Sequence, residues 1–231
     1  MNEFKPDVVV GFGGYTSGSA LWAASKMGIP TVIQEQNSYA GITNKMLAKS
    51  VDRVCVAYDQ AKQYFPSEKI AFTGNPVRSF KEGERLESEA RMQLGLQSER
   101  STLVIVGGSL GARSINRAMR SLYNEIAKLQ DLQILWQCGS LYIEEYAECE
   151  TAQLENVKIT DFIEDMDAAY AAADVVLCRA GALTLSELMI LGKAAILVPS
   201  PNVAEDHQTK NAMALVDNDA AILLEDDVLE K

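Results

Sequence analysis

A doubly wound, parallel α/β fold in two Rossmann-like domains, the first of them incomplete, is what this 231-residue chain predicts. Three observations carry that expectation. Short runs of β-forming apolar residues alternate with longer helical patterns, the rhythm of right-handed βαβ units. The rhythm breaks once, at a charged stretch over residues 79–100, and then restarts. Two glycine-rich loops, GFGGYTSG at 11–18 and VGGSLGAR at 106–113, each lie between a strand and a helix, one on either side of the break.

Residues 7–11 (DVVVG) read as a fully buried strand, followed by a helix over 17–27 with Leu21, Trp22, Ala24 and Ser25 spaced for packing. Gly28 and Pro30 end it, and residues 31–33 form the next strand. A polar loop, QEQNSYAG, leads to a helix over 42–49, and strands at 53–56 and 70–72 complete this part. The first strand is already apolar with almost no sequence before it. Strands buried on both faces need helices on both sides, so further βα units are expected to precede it or to come from another chain.

After the break, strands centred near Ile105, Ile134, Ile159, Val176, Ile196 and Ile222 alternate with helices near 112–128, 141–149, 165–172, 183–191 and 207–216. The ending ILLEDDVLEK places Asp226 and Asp227 at the start of another helix. The expected organisation is a partial domain over 1–78, a linker and helix over 79–100, and a second domain over 101–231 that lacks its last helices.

Composition narrows the function. At 48% hydrophobic and 23% charged residues, the chain can bury real cores. No apolar run approaches the roughly 18 residues that span a bilayer, and no signal-peptide pattern opens it. A net charge of −11 argues against general affinity for nucleic acid or anionic lipid. Cys55, Cys138, Cys149 and Cys178 show no CxxC spacing and read as buried free thiols in a reducing compartment. A single histidine, His207, makes a histidine-based zinc site a poor reading, and no metal is expected.

The stretch DVVLCRAGALTLSEL (174–188) carries the sharpest chemistry. A strand feeding a helix through small residues exposes backbone N–H groups at the helix start, where the dipole favours an anion. Arg179 before the turn suits a phosphate, and Glu187 inside the helix suits sugar hydroxyls. Neither glycine loop fits GxGxxG, because Thr16 occupies the third-glycine position of the first, and neither has the Gly-Lys-Ser/Thr of a P-loop. Tight βα turns would read the same way, although both loops lie at the carboxyl ends of strands, where open α/β sheets bind ligands. In QEQN (34–37), Glu35 suits a base or a hydroxyl ligand and Asn37 a sugar contact, although taken alone the stretch is better read as a solvated loop. Arg78 in GNPVR suits an ion pair or a phosphate. In the polar run from Pro199 to Asn211, Asp206 is a helix cap or His207 a base.

Taken together, GGYTSG, EQN, GITNK, GNPVR, GGSLGAR, FIEDM, CRAGALTLSE and DHQTKNA, in this order between residue 7 and about 215, resemble the MurG family of bacterial N-acetylglucosaminyltransferases. The resemblance implies a GT-B fold, two Rossmann-like domains with a cleft between them. It implies an inverting transfer from UDP-N-acetylglucosamine to the C4 hydroxyl of the N-acetylmuramyl residue of lipid I. The product is lipid II for peptidoglycan synthesis, made at the cytoplasmic face of the inner membrane without metal or cofactor. By motif, Arg78, Ser109, the backbone of Ile163, Arg179 and the run Ala182, Leu183, Thr184, Leu185, Ser186 and Glu187 fall on the nucleotide. Gln208, His207 and Asn37 fall on the donor sugar, and Gly13, Gly14, Tyr15, Glu35 and Asn44 toward the acceptor. The family's first strand, its histidine-bearing glycine loop and the membrane-contacting apolar patch have no counterpart here. Glu35 is the carboxylate left for the base, which must reach the attacking hydroxyl. The competing readings are a catalytically incomplete UDP-sugar-binding fragment, another GT-B enzyme, or a nucleotide-dependent oxidoreductase; the last is weakened by the missing GxGxxG.

Overall fold

The computed structural model describes residues 3–78 and 86–230. The chain separates into two compact units, Met1–Val77 and Arg78–Lys231, each built on its own parallel sheet. Residues 79–85 of the expected linker lie outside the described residues.

The first unit runs β1 (Val9–Gly11), α1 (Tyr15–Lys26), β2 (Thr31–Glu35), α2 (Ile42–Leu47), β3 (Arg53–Val56) and β4 (Ile70–Phe72), with sheet order β1-β2-β3-β4. Its core gathers Leu21, Ile33, Val54, Val56 and Phe65. A Cβ at Gly11 would fall 2.3 Å from Leu21 Cδ1, so a larger residue there would force the buried Leu21 side chain to move. One expectation is corrected here. Trp22 is 57% exposed, because it stands about 100° around the helix from Leu21 and off the inward stripe shared with Ala24. Among the four described strands of this sheet β1 lies at one edge, and Val10 is half exposed.

The second unit begins with α3 (Glu87–Gln93) and continues β5 (Ser101–Val106), α4 (Arg113–Ser121), α5 (Tyr123–Ile126), β6 (Leu132–Gln137) and α6 (Ile143–Tyr146). It then runs β7 (Val157–Thr160), α7 (Met166–Ala172), β8 (Val175–Cys178), α8 (Ala182–Leu191), β9 (Ala194–Leu197), α9 (His207–Val216) and β10 (Ile222–Leu223). The sheet order is β10-β9-β8-β5-β6-β7, all parallel. Its order reverses between β5 and β8, which opens a crevice outside their carboxyl ends.

Trp136 is fully buried; its indole N–H donates to Asn116 Oδ1 at 3.0 Å and the Tyr146 ring meets it edge-on at 5.7 Å. Arg91 ties α3 to the body through the Ala172 carbonyl (3.1 Å) and the Asp174 carboxylate (2.9 Å). Asp226 and Asp227 start a 3-10 segment, Asp226–Glu230, that packs on α4. The four cysteines are free, and burial pushes the thiols of Cys138 and Cys178 up to about 11 and about 12, so neither is a thiolate nucleophile at neutral pH. No described helix is long and apolar enough to cross a membrane.

Candidate nucleotide site

Two hollows flank the β5/β8 crevice of the second unit. The larger, about 650 Å³, is lined by the β5–α4 glycine loop, Arg113, Arg179, Thr184, Gln208 and Asp226. The smaller, about 170 Å³, is lined by Arg78, Ser109, Ile163, Tyr170, Thr184 and Glu187. Gly108 and Thr184 belong to both, so the two are neighbouring compartments around the starts of α4 and α8. The larger falls within the volume range of small-molecule sites. No side chain caps α4 or α8, whose N-cap positions are Ala112 and Gly181.

Glu187 is 8% exposed and sits one and a half turns into α8. Its Oε1 accepts from Arg78 Nε at 3.1 Å and its Oε2 from the Tyr170 hydroxyl at 2.8 Å. A buried carboxylate needs such donors, and here they also fix its orientation. Burial, then the neighbouring Glu187 charge, raises the Tyr170 hydroxyl above its ordinary value, so it remains a donor. Arg78 therefore forms the ion pair that the sequence left open against a phosphate contact. Ile163 is buried, and its backbone N–H and C=O meet no hydrogen-bond partner among the described residues. Of the remaining α8 run, Leu185 is fully buried in the core and Ser186 donates to the Ala182 carbonyl at 2.9 Å, whereas Leu183 is half exposed.

Arg179 is not an unengaged phosphate ligand. One guanidinium nitrogen donates to the Val198 and Pro199 carbonyls, both at 3.2 Å, and pairs with the Asp226 carboxylate. The other donates to Ser114 Oγ at 2.8 Å, and Ser114 donates in turn to Asp226. Its charge is thus largely compensated within the wall of the cavity. Gln208 accepts from the Ser200 N–H at 2.8 Å through its side-chain oxygen, which turns its amide nitrogen away from that bond. His207 begins α9 but is not among the residues that line the larger cavity. Asp206 does not act as a side-chain cap for α9; it accepts from the Thr209 hydroxyl at 2.6 Å instead. Among the described residues, no group of three or more His, Cys, Asp or Glu side chains is placed to hold a metal ion.

In the first unit, Glu35, the expected base, is engaged by its own loop and by α2. Glu35 is 1% exposed. Its Oε1 accepts from the backbone N–H (3.1 Å) and side-chain amide (3.3 Å) of Asn37, and its Oε2 from Gly41 N–H (3.0 Å) and Asn44 Nδ2 (2.8 Å). Four donors thus engage both carboxylate oxygens. It is a brace for the loop between β2 and α2, and Asn37 is one of its struts. Asn44 Oδ1 is buried without a partner among the described residues, beneath Gly13. Gly13 and Gly14 take positive φ (82° and 80°) at the start of α1, and Tyr15 stands 95% exposed beside them.

Residues 102–231 match the glycosyltransferase family 28 C-terminal domain, and residues 1–56 match the glycosyltransferase family 28 N-terminal domain. The chain belongs to glycosyltransferase family 28. That membership removes the oxidoreductase reading. The UDP-N-acetylglucosamine--N-acetylmuramyl-(pentapeptide) pyrophosphoryl-undecaprenol N-acetylglucosamine transferase of Bacteroides fragilis is 52% identical over 229 residues, covering 98% of this chain and 60% of that protein. The transferase of the same name from Parabacteroides distasonis is 50% identical over 233 residues, covering 100% of this chain and 63% of that protein. A crystal structure of Acinetobacter baumannii MurG superposes with a TM-score of 0.75 at 36% identity, covering 99% of this chain and 65% of that one. The chain thus spans about three fifths of the length of the curated relatives it matches.

Two residues of this family 28 site escaped the sequence reading. Tyr170 is the second donor to Glu187, and nothing in AAYAA marks it as more than a core aromatic. Gln137, at the end of β6, is buried and holds the glycine loop by two hydrogen bonds. A polar residue at an inward position of an apolar strand was the available signal for Gln137.

Proposed function

We propose that the second unit binds UDP-N-acetylglucosamine, and that the protein to which this chain corresponds transfers N-acetylglucosamine to the C4 hydroxyl of a lipid-linked N-acetylmuramyl acceptor with inversion. The observation that carries this reading is Glu187, a buried carboxylate oriented by Arg78 and Tyr170 at the edge of the crevice between β5 and β8. A carboxylate held this way accepts two hydroxyls side by side, which is what a ribose presents. Ile163, with its unpartnered backbone groups, takes the base edge, and Ser109 with Gly108 and the starts of α4 and α8 meets the diphosphate. Two helix N-termini and backbone N–H groups stabilise a leaving diphosphate by preorganised dipoles. Gln208, with His207 beside it at the start of α9, takes the sugar, and Arg179 braces the cavity wall. The names of the relatives support the same donor and acceptor. Asn37 is assigned to the donor sugar, and Asn44, Gly13, Gly14 and Tyr15 to the acceptor-side surface of the first unit. An acceptor carried on undecaprenol puts the reaction at a membrane surface, here the cytoplasmic face of the inner membrane.

A second reading is favoured by one observation. Glu35, the only base candidate the sequence offers near the acceptor side, has both carboxylate oxygens engaged by four donors. On that reading the 231-residue chain holds the donor without turning it over. Turnover of a soluble lipid I analogue with UDP-N-acetylglucosamine separates the two: release of UDP above blank supports transfer by this chain, and tight donor binding without release supports the binding-only reading.

A further inference from the structure

Two glutamines sit on the same face of β6, four residues apart at its opposite ends, and both are 3% exposed. Gln133, at the amino end, accepts from Gln97 N–H (2.9 Å) and donates to the Gln97 carbonyl (2.7 Å) and the Thr102 hydroxyl (3.0 Å). It fastens the segment that enters β5. Gln137, at the carboxyl end, accepts from Gly107 N–H at 2.9 Å and donates to the Gly108 carbonyl (2.9 Å) and the Asp161 carbonyl (2.8 Å). These three partners belong to two different loops. Gly107 and Gly108 start the glycine loop, while Asp161 opens the turn after β7 that carries Ile163. One planar amide therefore grips both, with its oxygen on the first and its nitrogen shared between them.

We infer that Gln137 is a positioning residue that couples the phosphate-side glycine loop to the base-side turn at Ile163; this rests on the nucleotide reading of the site given above. The loops themselves cannot make this link through the sheet. Their strands, β5 and β7, are separated by β6, and Gln137 is the β6 side chain at the height of both turns. The glycine loop is otherwise held by close packing: a Cβ at Gly111 would lie 2.0 Å from the Cys138 carbonyl oxygen, and one at Gly139 would lie 2.2 Å from Gly111. That packing fixes the far end of the loop. The amide of Gln137 fixes the end nearest the ligand. Because its amide is spent on both loops where they border the smaller cavity, its effect is on how the two loops face one ligand.

The test uses the full chain and two probes, UDP and uridine, titrated against wild type, Gln137→Met and Gln133→Met. Each variant removes one buried amide from the same strand, so a loss of general stability is matched between them. Gln137→Met is expected to weaken both UDP and uridine about tenfold, the weight of one to two net hydrogen bonds. Gln133→Met is expected to lower the melting temperature while leaving both affinities within about twofold of wild type. Equal losses in the two variants, or no loss in Gln137→Met, would overturn the inference, and a loss confined to UDP would overturn the coupling. If Gln137→Met does not fold, Gln137→Glu carries the same comparison, because it keeps the shape and removes the donors. Failure of wild type to bind UDP would instead remove the nucleotide reading beneath it.

Discussion

Glu35 and Glu187 are both buried and both hydrogen-bonded, yet their surroundings differ. Glu35 is surrounded by neutral donors from its own loop, three of them supplied by residues within six positions along the chain and the fourth by Asn44 on α2. Glu187 is held by one cation and one hydroxyl from distant parts of its unit, and all three residues border a cavity. Burial and satisfaction alone therefore do not separate a carboxylate that braces a loop from one proposed to bind a ligand. The difference lies in where the donors come from and whether the carboxylate faces an open volume.

The comparison breaks most sharply at Glu35. Replacing it with Gln turns one oxygen into a donor facing Gly41 N–H and the Asn44 amide, so unfolding in urea should show a loss of roughly 3 kcal/mol. A Glu35→Gln protein of unchanged stability that loses only turnover would mark it as a base. Asp226→Ala tests the wall of the larger cavity: Arg179 would keep its two carbonyls but lose its charge partner. Stability should fall by about 2 kcal/mol, less than for a fully buried pair because both groups are partly exposed. Tyr170→Phe sharpens the Glu187 side, since it removes one donor and keeps the ring. UDP affinity should drop severalfold and stability by about 1 kcal/mol. The smallest effect is expected at Asp52. The backbone N–H and then the hydroxyl of Thr31, both on Asp52 Oδ2, hold its carboxyl below the ordinary 3.8. A folded-state value below the unfolded one gives stability that is complete above pH 3.8 and is lost as the pH falls through the folded value. Asp52→Asn should flatten that acid limb by removing the contribution at neutral pH, a small loss there, so that variant and wild type converge in acid.

Most elements were legible because their signals are local. The strands at 53–56 and 70–72 match the observed β3 and β4, and each of the six strand centres expected after residue 100 falls inside an observed strand. Side-chain periodicity and glycine punctuation suffice for that. Trp22 was misread because neighbouring helical positions diverge by about 100°, and one residue's phase decides inside from outside. At the site, Arg179 looked like a phosphate ligand because its partner Asp226 lies 47 residues away and reaches it only through the fold. At Glu35, QEQN does not reveal that the chain returns to place Gly41 and Asn44 on the same carboxylate. Tyr170 and Gln137 were invisible for the converse reason: their roles are defined entirely by partners on other elements.

The central claim is that the second unit is a nucleotide site organised on Glu187. Calorimetric titration of UDP-N-acetylglucosamine into the wild-type chain and into Glu187→Ala tests it most directly. Saturable binding by wild type, weakened at least about tenfold in Glu187→Ala with the fold retained, is the predicted result. Equal affinity in the two proteins, or no binding by wild type, would contradict it.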